Sequence, residues 1–213
     1  MQTPGEEVVG EYLRCIGNCE FVEYNLYTEE VQGEIDVVGV NSKNKKVFVC
    51  EVATHLQTGL RYTKNGKSDN IARFCKKLRK NIAYAQKRFP EYEHDFSIWS
   101  PIVRIPGEQA KHNPMRDLID IRDIMQRDLG VDINLVINEA YLARLNELRS
   151  YAGQQTQAFQ STILRLFQIE EFAKERGAYF LLKNTHNLKT KEIELDIDIK
   201  EEGDIEEETI KAH

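Results

Sequence analysis

The sequence predicts an α/β protein with a mixed sheet and the core order α-β-β-β-α-β. Three short apolar runs rich in valine, isoleucine and phenylalanine lie between residues 20 and 53, which is typical of consecutive strands. A long amphipathic stretch at 70–89 follows them, and further strand-like runs come after it. With 213 residues and 41% hydrophobic residues, the chain is long enough to bury a substantial core.

Each element has its own start or stop signal. Thr3-Pro4-Gly5-Glu6 has the form of a capping box at the start of a helix, and Gly17-Asn18 ends that helix. A polar turn at 41–45 joins the second and third strands. The long helix is closed by Pro90. In chain order, the predicted elements are a helix from 3 to 17, strands 20–27, 34–40 and 46–53, a helix 70–89, a strand 94–105, a helix 114–130 and a strand 131–137.

The chain divides into three predicted regions. Residues 1–137 form the α/β core. Residues 138–190 are expected to be helical, broken near Gly153, and either packed on the core or forming a dimer contact. Residues 191–213 form an acidic tail, in which EIELDIDI (192–199) alternates like a strand before an end expected to be disordered.

The charges are distributed unevenly along the chain. The net charge of −6 argues against an obligate nucleic-acid binder. Residues 61–88, however, carry ten basic side chains against Asp69 alone, whereas acids crowd the tail. This basic segment is therefore predicted to contact the phosphates of DNA. The candidate nucleic-acid-binding residues are Arg61, Lys64, Lys67, Arg73, Lys76 and Lys80.

Composition also indicates the compartment. No apolar run approaches the ~20 residues that cross a bilayer, and the first residues lack the basic and apolar regions of a signal peptide. The cysteines are expected to be reduced, buried thiols. We therefore expect a cytoplasmic protein with no membrane partner and no organic cofactor. The four cysteines are Cys15, Cys19, Cys50 and Cys75.

Two carboxylates lie inside the apolar strands. A four-residue loop, 42–45, would place Asn41 opposite Lys46, and the same register places Asp36 opposite Glu51 on one face, with Cβ atoms roughly 5 Å apart. Such a pair is tolerated if a cation lies between the two groups or if one takes up a proton. With the backbone carbonyl of Val52, the two carboxylates supply the hard oxygen ligands that suit Mg²⁺ or Mn²⁺.

These residues carry a resemblance to a known superfamily. The motif G-E-I-D, a hairpin, and a glutamate near the end of an apolar strand lie between a glutamate-bearing helix and a basic helix. This order resembles the PD-(D/E)xK nucleases, which have the restriction-endonuclease-like fold, over roughly residues 3–105. The resemblance implies that Asp36 and Glu51 bind metal and that Glu11 is the additional helix glutamate, with Glu7 a weaker choice.

The resemblance also implies a lysine two residues after the second acid, where it helps to orient and activate the attacking water. This chain has Ala53 there. Lys76 and Lys80 are expected to point outward, because the apolar side of their helix must face the sheet. His55 is a further candidate to act on water, but it lies about 13 Å along an extended strand from Glu51, so a bend would be required. The other candidate cations are Lys64, Lys67, Lys77 and Arg79.

We therefore predict a Mg²⁺-dependent DNA endonuclease that hydrolyses phosphodiester bonds. It is predicted to be a homodimer, because cutting both strands needs two sites. One alternative, favoured by Ala53, is a catalytically inactive nuclease-fold protein that acts as a nucleic-acid-binding or partner-binding subunit. Another is a helical interaction protein whose acidic tail covers the basic face. The predicted catalytic residues are Asp36, Glu51, His55 and Lys77.

Overall fold

A computed structural model describes residues 3–27, 33–107 and 110–187, with side chains as far as residue 176. Within these residues, helices cover both faces of a five-stranded sheet. The helices are α1 (Pro4–Cys15), α2 (Asn70–Arg88), α3 (Pro114–Leu129), α4 (Glu139–Gln154) and α5 (Thr162–Asn187). The strands are β1 (Phe21–Tyr27), β2 (Glu34–Asn41), β3 (Lys46–Val52), β4 (Thr63–Lys64), β5 (Lys67–Ser68), β6 (Glu93–Ser100) and β7 (Ile133–Ile137).

The sheet is mixed, in the order β1-β2-β3-β6-β7. β1, β2 and β3 pair antiparallel, whereas β3, β6 and β7 pair parallel. The predicted α/β class with a mixed sheet is therefore confirmed. The small antiparallel hairpin of β4 and β5 lies where the sequence predicted only a basic loop.

Several predicted boundaries match the local chemistry. Thr3 and Glu6 form the capping box of α1, in which the Thr3 amide donates to Glu6 Oε2 at 2.7 Å. Gly130 ends α3 in the left-handed conformation, with φ of 65°. Strand β6 ends at Ser100 rather than at 105, because Pro101 has no amide hydrogen to continue the ladder.

The two faces of the sheet bury separate apolar clusters. On one face, Phe74, Leu78 and Ile82 of α2 pack with β3 side chains and with α3. On the other face, Val9 and Leu13 of α1 pack with Val37, Cys50 and residues of α4. Helices α1 and α2 therefore lie on opposite faces of the sheet.

The chain divides into two compact units, residues 1–173 and residues 174–213. The first unit contains the sheet, α1 to α4 and the start of α5, and within it α4 contacts α1 and β7. In the second unit the structure describes the end of α5, as far as Asn187. The predicted strand at 192–199 and the acidic tail around it lie outside the described residues. Within the described part of the chain, every helix is too short or too polar to cross a membrane.

Candidate functional site

The hairpin of β2 and β3 positions both predicted acids. Asn41 pairs with Lys46, as predicted, and the ladder continues to Val37 and Cys50. One step further, the Val52 amide donates to Asp36 Oδ2 at 2.8 Å, so this side chain takes the place of a backbone acceptor. Asp36 is 6% exposed and Glu51 is 1% exposed. Both carboxylates are thus buried at the end of the hairpin.

Lys77 of α2 joins the two carboxylates. Its Nζ lies 3.1 Å from Asp36 Oδ1 and also contacts Glu51 Oε2. Since one ammonium group reaches both side chains, the acids from the two strands converge on a common cation position. The side chain of Lys77 is 30% exposed, so this cation is also accessible from solvent.

Asn81 completes the hydrogen bonding of Glu51. Its Nδ2 donates to Glu51 Oε1 at 2.6 Å, and the residue is buried. Asn81 was not predicted as a site residue. The available signal was a lone amide beside Ile82 in the apolar stripe of α2, four residues after Lys77, which places the two side chains on one face of the helix.

The protonation of this cluster follows from its burial. Burial, and then repulsion by Asp36, raise the pKa of Glu51 from its ordinary 4.5 to about 8, although Lys77 and Asn81 partly offset this effect. Burial alone would lower the pKa of Lys77, but the Glu51 and Asp36 carboxylates raise it above its ordinary value. Lys77 therefore stays charged, while Glu51 binds a proton far more readily than a solvated glutamate.

Ala53 explains why the cation comes from another element. Its side chain is buried in the apolar cluster between the sheet and α2, and its amide donates to the Trp99 carbonyl at 2.9 Å. A lysine at this position would enter that core. Lys77 instead brings its ammonium group to Glu51 from the facing helix.

His55 lies beyond the end of β3, in the loop that leads to β4. Its ring packs against Tyr62 with ring centroids 4.5 Å apart, and the Arg73 guanidinium lies 4.2 Å from the centroid of the same Tyr62 ring. Because β3 ends at Val52, His55 does not continue the extended strand along which its distance from Glu51 was predicted.

Glu11 lies on the other face of the sheet. α1 packs on the face opposite to α2, and Glu11 Oε1 accepts a hydrogen bond from Arg14 Nη1 at 2.8 Å. Glu7 accepts from Ser161 Oγ at 3.3 Å. Over the described residues, no three His, Cys, Asp or Glu side chains are grouped so as to hold a metal ion. Within the described residues, Glu11 therefore does not join Asp36 and Glu51 in the predicted metal site.

A basic groove of about 500 Å³ runs along α2 beside the carboxylates. Five of its lining side chains are cationic, and Glu34 and Asp69 are acidic. Most of the cations form one stripe along α2 at helical spacing. Lys76 and Lys80 were expected to point away from the site, but they line the same groove as Lys77. The cationic residues are Lys64, Arg73, Lys76, Lys77 and Lys80.

The remaining predicted nucleic-acid contacts lie outside the lining of this groove. Lys67 pairs with Lys64 in the hairpin of β4 and β5, and Arg61 is exposed just before it. Asp117 of α3 accepts hydrogen bonds from Ser68 Oγ and Asn70 Nδ2, which fixes this segment against the core.

Comparison of the chain with protein-family models, with curated proteins and with solved structures finds no match. The functional conclusion therefore rests on the arrangement of Asp36, Glu51 and Lys77 at the basic groove.

Proposed function

We propose that this protein is a divalent-metal-dependent DNA endonuclease with a restriction-endonuclease-like core. One observation carries this proposal. Asp36 and Glu51, from neighbouring strands, converge on a single cation, the Lys77 ammonium. Lys77 also lines a groove with four other cationic side chains, where the phosphates of a DNA strand would be neutralised.

The two acids fit a hard divalent ion. Oxygens that both reach one ammonium group are spaced to share one small cation, and the Val52 carbonyl lies directly after Glu51 in the chain. Mg²⁺ commonly uses one or two carboxylates and fills its other positions with water and phosphate oxygens. Asp36, Glu51 and Val52 would hold Mg²⁺ or Mn²⁺, which supplies charge stabilisation on the phosphate and lowers the pKa of a bound water.

The other side chains have distinct roles in this scheme. Asn81 fixes the orientation of Glu51 through its hydrogen bond to Oε1. Lys77 supplies the positive charge near the attacking water. The resemblance implies that this charge comes from position 53, but here it comes from α2. The remaining groove cations hold the phosphodiester backbone, so DNA binding should weaken steeply as salt rises.

The test is cleavage of supercoiled plasmid with Mg²⁺ or Mn²⁺ by Lys77→Met, with Lys76→Met as the matched control. Both changes remove one positive charge from the groove, but only Lys77 contacts the carboxylates. We expect Lys77→Met to lose turnover by at least ~100-fold. Lys76→Met should mainly weaken binding and reduce the salt dependence by about one charge. Equal losses of turnover in the two variants would overturn the assignment of Lys77.

Cleavage of both strands requires two such sites, so the proposal includes a homodimer. Light scattering of the protein with and without a short duplex measures this directly. A monomer on the duplex that nicks only one strand would remove the dimer from the proposal and leave the chemistry of the site intact.

A second function is favoured by the mutual pairing within the cluster. Lys77 already pairs with both Asp36 and Glu51, and the Val52 amide and Asn81 satisfy their other oxygens. In a DNA-binding subunit without catalysis, such a cluster would serve only to stabilise the fold. The plasmid assay separates the two functions, because retarded but intact DNA with both the parent protein and Asp36→Ala indicates the binding subunit.

A further inference from the structure

An exposed tyrosine lines the basic groove near the carboxylates. Tyr27, at the end of β1, is 69% exposed. Its hydroxyl donates to Glu34 Oε2 at 2.9 Å, and Glu34 lines the same groove. The hydrogen bond to Glu34 fixes the position of the exposed ring in a groove that five cations also line.

The form of the nucleic acid decides whether a base can use that ring. The groove has a volume of about 500 Å³, enough for one or two nucleotides. In a duplex each base face is covered by its neighbours in the stack, so an aromatic side chain finds no free base face. In a single strand, by contrast, bases stack readily on aromatic side chains while cations track the backbone.

We propose that Tyr27 is a stacking platform for an unpaired base and that the groove binds a single-stranded segment of DNA, with Lys64, Lys76 and Lys80 on its phosphates. This inference rests on the proposed nuclease function and narrows its substrate to unpaired segments of DNA, including those that open in a supercoiled plasmid. One site is sufficient to cut a single strand, so the homodimer is required only where both strands are cut. The segment that enters the groove is an unpaired end, flap or loop, whose backbone passes Lys77 and the adjoining carboxylates.

The experiment measures binding of fluorescein-labelled oligothymidylate, and of a duplex of the same length, by fluorescence anisotropy in EDTA with the full chain. The parent protein should bind the single strand more tightly. Tyr27→Ala should weaken single-strand binding by about 5- to 100-fold and duplex binding by less than about twofold. Tyr27→Phe keeps the ring and should stay within about threefold of the parent.

The matched control is Phe21→Ala. Phe21 is on the same strand and is 68% exposed, but it lines a different groove, so its removal should leave both affinities within about twofold. An oligonucleotide whose central nucleotides lack bases should abolish the difference between the parent and Tyr27→Ala. Equal losses on single strand and duplex, an equal loss in Phe21→Ala, or no loss in Tyr27→Ala would each overturn the stacking role.

The outcome for Tyr27 is separable from the outcome for cleavage. Single-strand binding that depends on Tyr27, without metal-dependent cleavage, would support the platform and overturn the nuclease. Cleavage that depends on Asp36, with no preference for unpaired DNA, would support the nuclease and overturn the platform. Failure to bind either oligonucleotide would overturn the platform as well.

Discussion

Glu51 and Glu11 are both buried acids with a basic partner, but they are held in different ways. Arg14, the partner of Glu11, lies three residues away on the same helix. Glu51 instead meets Lys77 from a helix across the core, and it lies beside a second carboxylate, that of Asp36. Local pairing is sufficient to explain Glu11 as a structural residue. A buried pair of like charges from neighbouring strands costs free energy that no local structure requires, and such clusters mark functional sites.

The largest effect should come from breaking this pair of carboxylates. Asp36→Asn removes one charge from the proposed metal site and keeps the size and hydrogen-bonding capacity of the side chain. We expect metal-dependent plasmid cleavage to fall by at least ~1000-fold, because metal stabilisation of the transition state amounts to several kcal/mol. The measurement is the initial rate of supercoiled plasmid loss at saturating Mn²⁺.

Glu11→Gln is the matched control for that experiment. It also neutralises one buried acid, but on the other face of the sheet, so cleavage should stay within about threefold of the parent. A loss in Glu11→Gln as large as that in Asp36→Asn would mean that the two faces act as one site. Glu11 would then be part of the proposed site rather than a structural residue.

The next effect concerns stability as a function of pH. The folded-state pKa of Glu51, about 8, is above its ordinary value of 4.5. The folded state therefore binds more protons than the unfolded state between these values, and the free energy of unfolding falls as pH rises from about 4.5 to about 8. In Glu51→Gln this contribution disappears, since the amide stays neutral and the Asn81 amide can turn to accept from it.

Urea unfolding in EDTA at pH 5 and pH 8.5 measures this contribution. The parent protein should lose on the order of 4 kcal/mol more than Glu51→Gln between the two pH values, with the variant the more stable at pH 8.5. Parallel pH profiles for the two proteins would contradict the raised pKa of Glu51. They would also remove the energetic difference between Glu51 and a solvated acid.

The sequence is sufficient to predict the strand pairing behind this site. In an antiparallel hairpin, loop length sets the register, and the register sets which side chains share a face. Asn41 therefore pairs with Lys46, and Asp36 and Glu51 reach the same cation. The strand pairing and the shared face of the two acids depend only on residues close together in the chain.

The parts that the sequence could not determine depend on contacts between distant elements. The periodicity of α1 shows which side of the helix is buried, but not which face of the sheet it covers, so it does not predict that Glu11 lies on the face opposite to Lys77. Lys77 was one of several candidates, because the axial position of α2 against the sheet depends on the packing of Phe74 and Leu78. The hairpin of β4 and β5 has strands of two residues each, too short for a recognisable alternation.

The smallest effect should be that of Glu11→Gln on stability. Burial raises the pKa of Glu11, while the Arg14 charge and hydrogen bond partly offset this effect. The ionised form is thus slightly disfavoured by folding, and Arg14, whose side chain is 40% exposed and also donates to the Tyr24 hydroxyl, keeps other partners when the charge is lost. We expect urea unfolding at pH 7 to show a change of less than about 0.5 kcal/mol, in the stabilising direction. A loss above ~1 kcal/mol would show that the ion pair with Arg14 stabilises α1, and the charge of Glu11 would then act in the opposite sense to that of Glu51, which folding disfavours.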